Sequence, residues 1–101
     1  MSSLERHRLE VYEERLAIHA RDCGICQTCG EPVSVNDFEV AHRIANTVCN
    51  RSRYGDDVID SPLNKATTHR GRCNSRQNCG NNPMKCAEIV EAVRAQKLEE
   101  P

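Results

Sequence analysis

A chain of 101 residues with a net charge of −1 has the length of one small domain, and its overall charge does not predict nucleic-acid binding. Aromatic residues make up only 3% of the chain, so the apolar core must be thin. The seven cysteines, an odd number, disfavour a closed disulfide framework, and no apolar run suits a signal peptide or a membrane span. We therefore expect one domain over residues 1–101 in a reducing cytoplasm, without a membrane partner and with cysteines that bind metal.

The first predicted element is a helix over residues 4–20, where a loose apolar stripe runs among charged side chains. Ser2 or Ser3 can cap its start. Residues 21–36 contain two Gly, one Pro and three Cys, a composition that predicts a loop.

The middle of the chain predicts two strands. Residues 37–44 are rich in apolar and branched side chains and suit the first strand. Residues 45–56 predict a polar loop, and Val58 and Ile59 predict the start of a short second strand.

Two further helices are predicted towards the C-terminus. A short one begins near Cys73 or Asn74. Asn82 and Pro83 then predict the start of a longer helix over residues 83–98, because Asn is a good N-cap and Pro is favoured at the first helical position.

Cysteine spacing predicts a structural zinc site. Cys26-x2-Cys29 followed by Gly30 is the pattern of a knuckle that turns two thiolates towards one metal. Zinc needs two more ligands, and the candidates are His69, Cys73 and Cys79. The favoured ligand set is Cys26, Cys29, His69 and Cys73. Cys73 with Cys79 stays open as the second pair, and Cys23-x2-Cys26 has the same spacing as the favoured knuckle.

Four short motifs follow one another between Cys26 and Asn82. They are Cys26-x2-Cys29, Glu39-Val40-Ala41-His42, Pro62-Leu63-Asn64 and Cys73-Asn74. In this order the motifs resemble the HNH nuclease family, and the resemblance covers more than half of the chain. It implies an α+β domain whose zinc-stapled ββα-metal core, over residues 23–82, has a two-stranded antiparallel sheet and lies between flanking N- and C-terminal helices.

The resemblance also implies an activity and the residues that carry it. It indicates an endonuclease that hydrolyses the phosphodiester bonds of DNA with one Mg²⁺ or Mn²⁺ ion, with His42 as the general base that activates water. Asn64 is expected to fix the loop and orient His42 through a hydrogen bond. Asn74 is expected to be a metal ligand where other members carry His, and Asn78, four residues further on the same helical face, is a further candidate ligand.

One position departs from the family pattern. Ala41 stands where the family usually has an acidic metal ligand directly before the histidine. Glu39 lies two residues earlier, on the same side of a strand, and is the candidate replacement. If Glu39 does not reach the metal, the site would be weakly charged and would bind metal poorly.

Arginines are concentrated around these motifs. Arginine suits phosphate because it can form two parallel hydrogen bonds. The candidate nucleic-acid ligands are Arg43, Arg51, Arg53, Arg70, Arg72 and Arg76. We expect them to contact the DNA backbone, with little sequence preference.

Other interpretations stay open at this stage. A non-catalytic zinc-ribbon module that binds nucleic acid or protein is favoured by Ala41 and by the small size of the chain. An iron–sulfur protein could use Cys23, Cys26 and Cys29 with a fourth cysteine. As a nuclease, the chain would act in the cytoplasm as a bacterial or phage-encoded protein, with a second copy or a larger protein as a candidate partner.

Overall fold

The computed structural model describes residues 1–80 and 82–99. The described elements are α1 (Ser3–Arg21), β1 (Glu39–His42), α2 (Val48–Tyr54), α3 (Asp56–Asp60), a 3-10 turn (Pro62–Asn64), β2 (Lys65–Thr68), α4 (Arg72–Arg76) and α5 (Pro83–Glu99). The two strands form an antiparallel sheet with helices around it, so the predicted α+β class is confirmed at this level. Within the described part of the chain, no helix combines the length and hydropathy that a membrane span requires.

The two terminal helices lie where the sequence predicts them. Ser2 caps α1, because its Oγ accepts a hydrogen bond from the Glu5 N–H at 3.1 Å. Asn82 caps α5 in the same way, since its Oδ1 accepts from the N–H groups of Met84 and Lys85 at 3.1 and 3.2 Å. These side chains satisfy N–H groups that have no partner inside their own helix.

The second strand lies elsewhere than predicted. Val58 and Ile59 belong to α3, a short helix that follows Gly55 and has Asp56 and Asp57 in its first turn. Acidic residues stabilise the start of a helix through its dipole, and here this local preference outweighs the strand preference of two branched residues. The strand is β2, in which Lys65 pairs with His42 and the remaining residues pair back towards the start of β1.

The segment predicted as a polar loop also contains a helix. α2 spans Val48–Tyr54 and is capped by Thr47, whose Oγ1 accepts from the Asn50 N–H at 3.1 Å. The sequence signal for α2 is a capping threonine followed by residues that tolerate a helix, and the polar composition of the segment does not reveal this signal.

The buried apolar residues form two small clusters. The first cluster contains Ile44, Val58, Ile59, Cys86 and Val93 and joins α3 to α5. The second contains Cys26, Val33 and Phe38, with Val40 and Cys73 packed against it. α1 contributes the buried side chain of Ile18, whereas its residues 3–13 are exposed. Neither cluster is large, as the composition predicts.

Asn64 connects the turn before β2 to the chain after β1. It is fully buried, its Oδ1 accepts from the Ile44 N–H at 2.8 Å, and its Nδ2 donates to the carbonyls of Ile44 and Ile59 at 3.1 Å each. Its own carbonyl accepts from the Arg43 N–H at 2.8 Å. One amide side chain therefore satisfies three buried backbone groups that no strand or helix pairing serves.

We expect Asn64→Ala to destabilise the protein by about 3 kcal/mol, because it leaves several buried polar groups without partners. Urea denaturation of the zinc-saturated protein measures this change. Asn36→Ala, at an exposed position, is the matched control and should be nearly neutral. Equal stability of the two variants would contradict the structural role of Asn64.

Candidate metal centre and adjoining groove

The structure brings Cys26, Cys29, His69 and Cys73 together. One ligand atom from each lies within 4.8 Å of all the others, with Cys29 Sγ 3.4 Å from His69 Nδ1. Around a tetrahedral zinc with Zn–S bonds of about 2.3 Å, sulfur atoms are about 3.8 Å apart, so the four atoms need only small movements to surround one ion. This group could hold a metal ion such as zinc.

Local backbone geometry positions the first two ligands. Cys26 and Cys29 lie in a tight turn closed by hydrogen bonds from Gly30 N–H to Cys26 O at 2.9 Å and from Cys26 N–H to Glu31 O at 2.8 Å. Gly30 has φ of 79°, a conformation that favours glycine. The sequence pattern of the knuckle thus matches the observed turn.

The other two ligands come from the end of the sheet and the start of α4. His69 directly follows β2, and its Nε2 lies 3.1 Å from the Pro32 carbonyl. A proton on Nε2 would donate to this carbonyl and leave Nδ1 free to bind metal, the usual arrangement for a metal-bound histidine. Cys73 lies in the first turn of α4, and its carbonyl accepts from Thr28 Oγ1 at 2.7 Å, which ties α4 to the knuckle.

The electrostatics of the cluster favour a cation. Burial raises the pKa of Cys26, but N–H groups at Cys29, His69 and Thr28 outweigh that effect and lower the pKa to about 6. Burial of the Cys73 thiol raises its pKa, and the neighbouring sulfurs of Cys26 and Cys29 raise it further, to about 11. Without a metal, the cluster therefore favours a thiolate at Cys26 and disfavours one at Cys73. A divalent ion relieves this repulsion and displaces the remaining thiol protons.

The other cysteines lie outside this group. Cys79 does not join Cys73 as the alternative pair; its Sγ lies 3.2 Å from that of Cys86, which is buried in the first apolar cluster. Burial and the neighbouring Cys86 raise the pKa of Cys79 to about 11. Cys23 and Cys49 are exposed free thiols.

A polar groove adjoins the metal centre. We call it the His42 groove; its lining residues are Val40, His42, Ala45, Asn46, Asn74, Ser75 and Asn78. Asn74 directly follows the candidate ligand Cys73, and its Nδ2 donates to Glu39 Oε2 at 3.3 Å. Glu39 therefore contacts the lining residue Asn74 but does not itself line the groove, and Ala41, on the same side of β1 as Glu39, is buried.

His42 is half-buried at the end of β1. Burial lowers its pKa, and the positive charges of Lys65 and Arg51 lower it further against the opposing effect of Asp60 and Glu14. The imidazole is consequently neutral near pH 7 and can accept a proton.

Two predicted roles differ from the observed contacts. The side-chain hydrogen bonds that Asn64 makes with described residues go to Ile44 and Ile59 rather than to His42, so Asn64 positions the chain two residues beyond the histidine. Asn78 lies outside α4, which ends at Arg76, so it does not share a helical face with Asn74. It reaches the groove instead from the following turn, where its Oδ1 accepts from Gly80 N–H at 2.6 Å.

The six candidate phosphate ligands fall into distinct groups. Arg51 bonds to Asn46, Asp56 and Asp60, and Arg70 bonds to Asp37, so both are engaged within the protein. Arg43 and Arg76 line a second cavity beside the His42 groove. Arg53 and Arg72 are exposed. Sequence proximity to the motifs does not distinguish these groups, because the acids that pair with Arg51 and Arg70 are five or more residues away.

Comparison of the chain with family models, curated proteins and solved structures finds no match. The candidate functional residues are therefore assigned by their geometry and chemistry.

We expect the purified protein to contain one zinc ion per chain, and Cys26→Ser and Cys73→Ser to weaken zinc affinity by more than about 100-fold, because each removes a direct ligand. Metal analysis and competition with a chromogenic chelator measure this. Cys49→Ser and Cys79→Ser are the controls and should retain zinc. Loss of zinc in Cys79→Ser would contradict this ligand set and support Cys73 with Cys79 as the second pair of zinc ligands.

Proposed function

We propose that the protein is a metal-dependent endonuclease that hydrolyses phosphodiester bonds of DNA at the His42 groove. The single observation that carries this proposal is the convergence of His42, Asn74 and Asn78 on one open groove, with Glu39 hydrogen-bonded to Asn74. The resemblance of the motif order to HNH nucleases supports the same assignment.

The residues present suit a hard divalent cation such as Mg²⁺ or Mn²⁺. Glu39 offers a carboxylate, and Asn74 and Asn78 offer amide oxygens, whereas the zinc cluster offers sulfur and nitrogen. When bound by these oxygens, such an ion would supply positive charge near the phosphate that is attacked. A single carboxylate leaves most of the coordination to water and phosphate, which is common for Mg²⁺.

The histidine performs the proton transfer. His42 is neutral at the working pH and accepts the proton of a water molecule as that water attacks phosphorus. Asn64 keeps the chain after β1 in place through Ile44, so the imidazole stays at the edge of the groove. Arg43 and Arg76, which have no side-chain partner among the described residues, offer positive charge to the phosphate backbone beside the groove.

We expect His42→Ala to lower the rate of plasmid cleavage in Mn²⁺ or Mg²⁺ by about 10²- to 10⁴-fold, the usual loss when a general base is removed. Zinc content and thermal unfolding should stay close to those of the native protein. His7→Ala, at an exposed position on α1, is the matched control and should cleave normally. Full activity in His42→Ala would refute the assignment of the base.

Glu39→Gln tests the oxygen ligands. The substitution preserves the shape of the side chain but removes its charge, so a higher Mn²⁺ concentration should be needed for half-maximal cleavage. Glu31→Gln, in the exposed part of the knuckle, is the control. An unchanged Mn²⁺ requirement in Glu39→Gln would exclude Glu39 as a ligand.

A non-catalytic zinc module that binds nucleic acid or protein is the second candidate. Ala41 favours it, because this buried residue occupies the position where the family pattern has an acid. The module predicts binding to an oligonucleotide or a protein without metal-dependent cleavage. Cleavage that disappears in His42→Ala would exclude it.

A further inference from the structure

A second cavity beside the His42 groove is rich in cations. We call it the basic cleft; its lining residues are Arg43, Arg76, Gln77, Asn78, Cys79, Lys85, Glu88 and Ile89. Three cations face one acid, so the cleft has a local excess of positive charge in a protein whose net charge is −1.

These cations have no partners among residues 1–80 and 82–99. Arg43, Arg76 and Lys85 form no side-chain hydrogen bond and no ion pair with a described residue, unlike Arg51 and Arg70. The Nε atom of Arg43 is moreover buried without a hydrogen-bond partner. A buried guanidinium nitrogen without an acceptor is unfavourable, and because Arg43 lines the cleft, an anion bound there would offset part of this electrostatic cost.

The backbone holds Arg43 firmly in position. Its N–H donates to the Asn64 carbonyl and its carbonyl accepts from the Cys79 N–H, each at 2.8 Å. Arg43 directly follows His42, and Asn78 lines both the cleft and the His42 groove. The two cavities are therefore neighbours with a fixed relation to each other.

We propose that the basic cleft binds a backbone phosphate of the same nucleic-acid strand whose neighbouring phosphate lies in the His42 groove. This inference rests on the proposed function for the role of the groove, but it assigns a separate binding subsite. It adds Lys85 to the nucleic-acid ligands and excludes Arg51 and Arg70, which are engaged by carboxylates. Arginine can grip the phosphate through parallel hydrogen bonds, and Lys85 adds a point charge.

Binding of a fluorescent oligonucleotide to the zinc-loaded protein, without added Mg²⁺ or Mn²⁺, tests the subsite. Affinity is measured by anisotropy over a range of salt concentrations for Arg76→Ala and Lys85→Ala, both at exposed positions where folding is little affected. Removal of one phosphate contact should reduce the slope of log K against log salt by about 0.9 for duplex or about 0.7 for single-stranded DNA. Arg6→Ala and Arg8→Ala remove the same charge at exposed positions that do not line the cleft, and should leave the slope unchanged.

The outcomes separate the subsite from the catalytic assignment. A loss of slope confined to the cleft variants supports the proposal, whether or not the protein cleaves DNA. Equal losses in all four variants would overturn it, because general charge rather than the cleft would then govern binding. Binding of inorganic phosphate in the cleft without binding of an oligonucleotide would also overturn it, since the ligand would then be free phosphate. If His42→Ala abolishes cleavage and the cleft variants bind DNA like the controls, the nuclease assignment is supported and the phosphate subsite is refuted.

Discussion

The candidate metal site formed by Cys26, Cys29, His69 and Cys73 is the constraint on which the rest of the structure depends. It joins the knuckle to the end of β2 and the start of α4, which lie 40 or more residues further along the chain. Cys26 is at the same time a member of the second apolar cluster, and Cys73 packs against that cluster. On this side of the molecule the metal site and the apolar core are one structure. A chain with three aromatic residues therefore has a source of stability other than apolar burial.

The same constraint determines the shape of the His42 groove. Asn74 directly follows Cys73, so the metal ligand also places an amide beside β1, where Glu39 accepts its hydrogen bond. Beyond the other end of β1, Asn64 holds the backbone of Ile44, two residues after His42. The histidine thus lies between two anchors, one made by the metal cluster and one made by a buried amide. Under the proposed nuclease function, such support from neighbouring groups would keep the imidazole in a productive geometry.

Sequence reasoning succeeded where the signal was local. The Cys-x2-Cys-Gly spacing and the later His69 and Cys73 name the four residues that the structure brings together, and the caps at Ser2 and Asn82 locate the two long helices. It failed for β2, because Lys-Ala-Thr-Thr lacks the apolar alternation of a half-buried strand. β2 forms because it pairs with β1 and is buried against neighbouring elements, and neither condition can be read within four residues.

In the candidate site, too, features with a local sequence signal could be predicted, and features that depend on contacts across the fold could not. Positions that adjoin a motif, such as His42 and Asn74, could be found by their order in the chain. Contacts across the fold could not: the partners of Asn64, the acids that engage Arg51, and the approach of Lys85 to Arg43 all depend on how separate elements pack. Lys85 lies in a helix outside the recognised motifs, and only its position in the basic cleft relates it to the groove.

X-ray absorption spectroscopy at the zinc edge of the metal-loaded protein tests the central claim most directly. The cluster predicts a first shell of three sulfur atoms at about 2.3 Å and one nitrogen atom at about 2.0 Å. A shell of four sulfur atoms, or one with oxygen ligands from water, would contradict it, because the knuckle, β2 and α4 would not then be joined through His69 and Cys73.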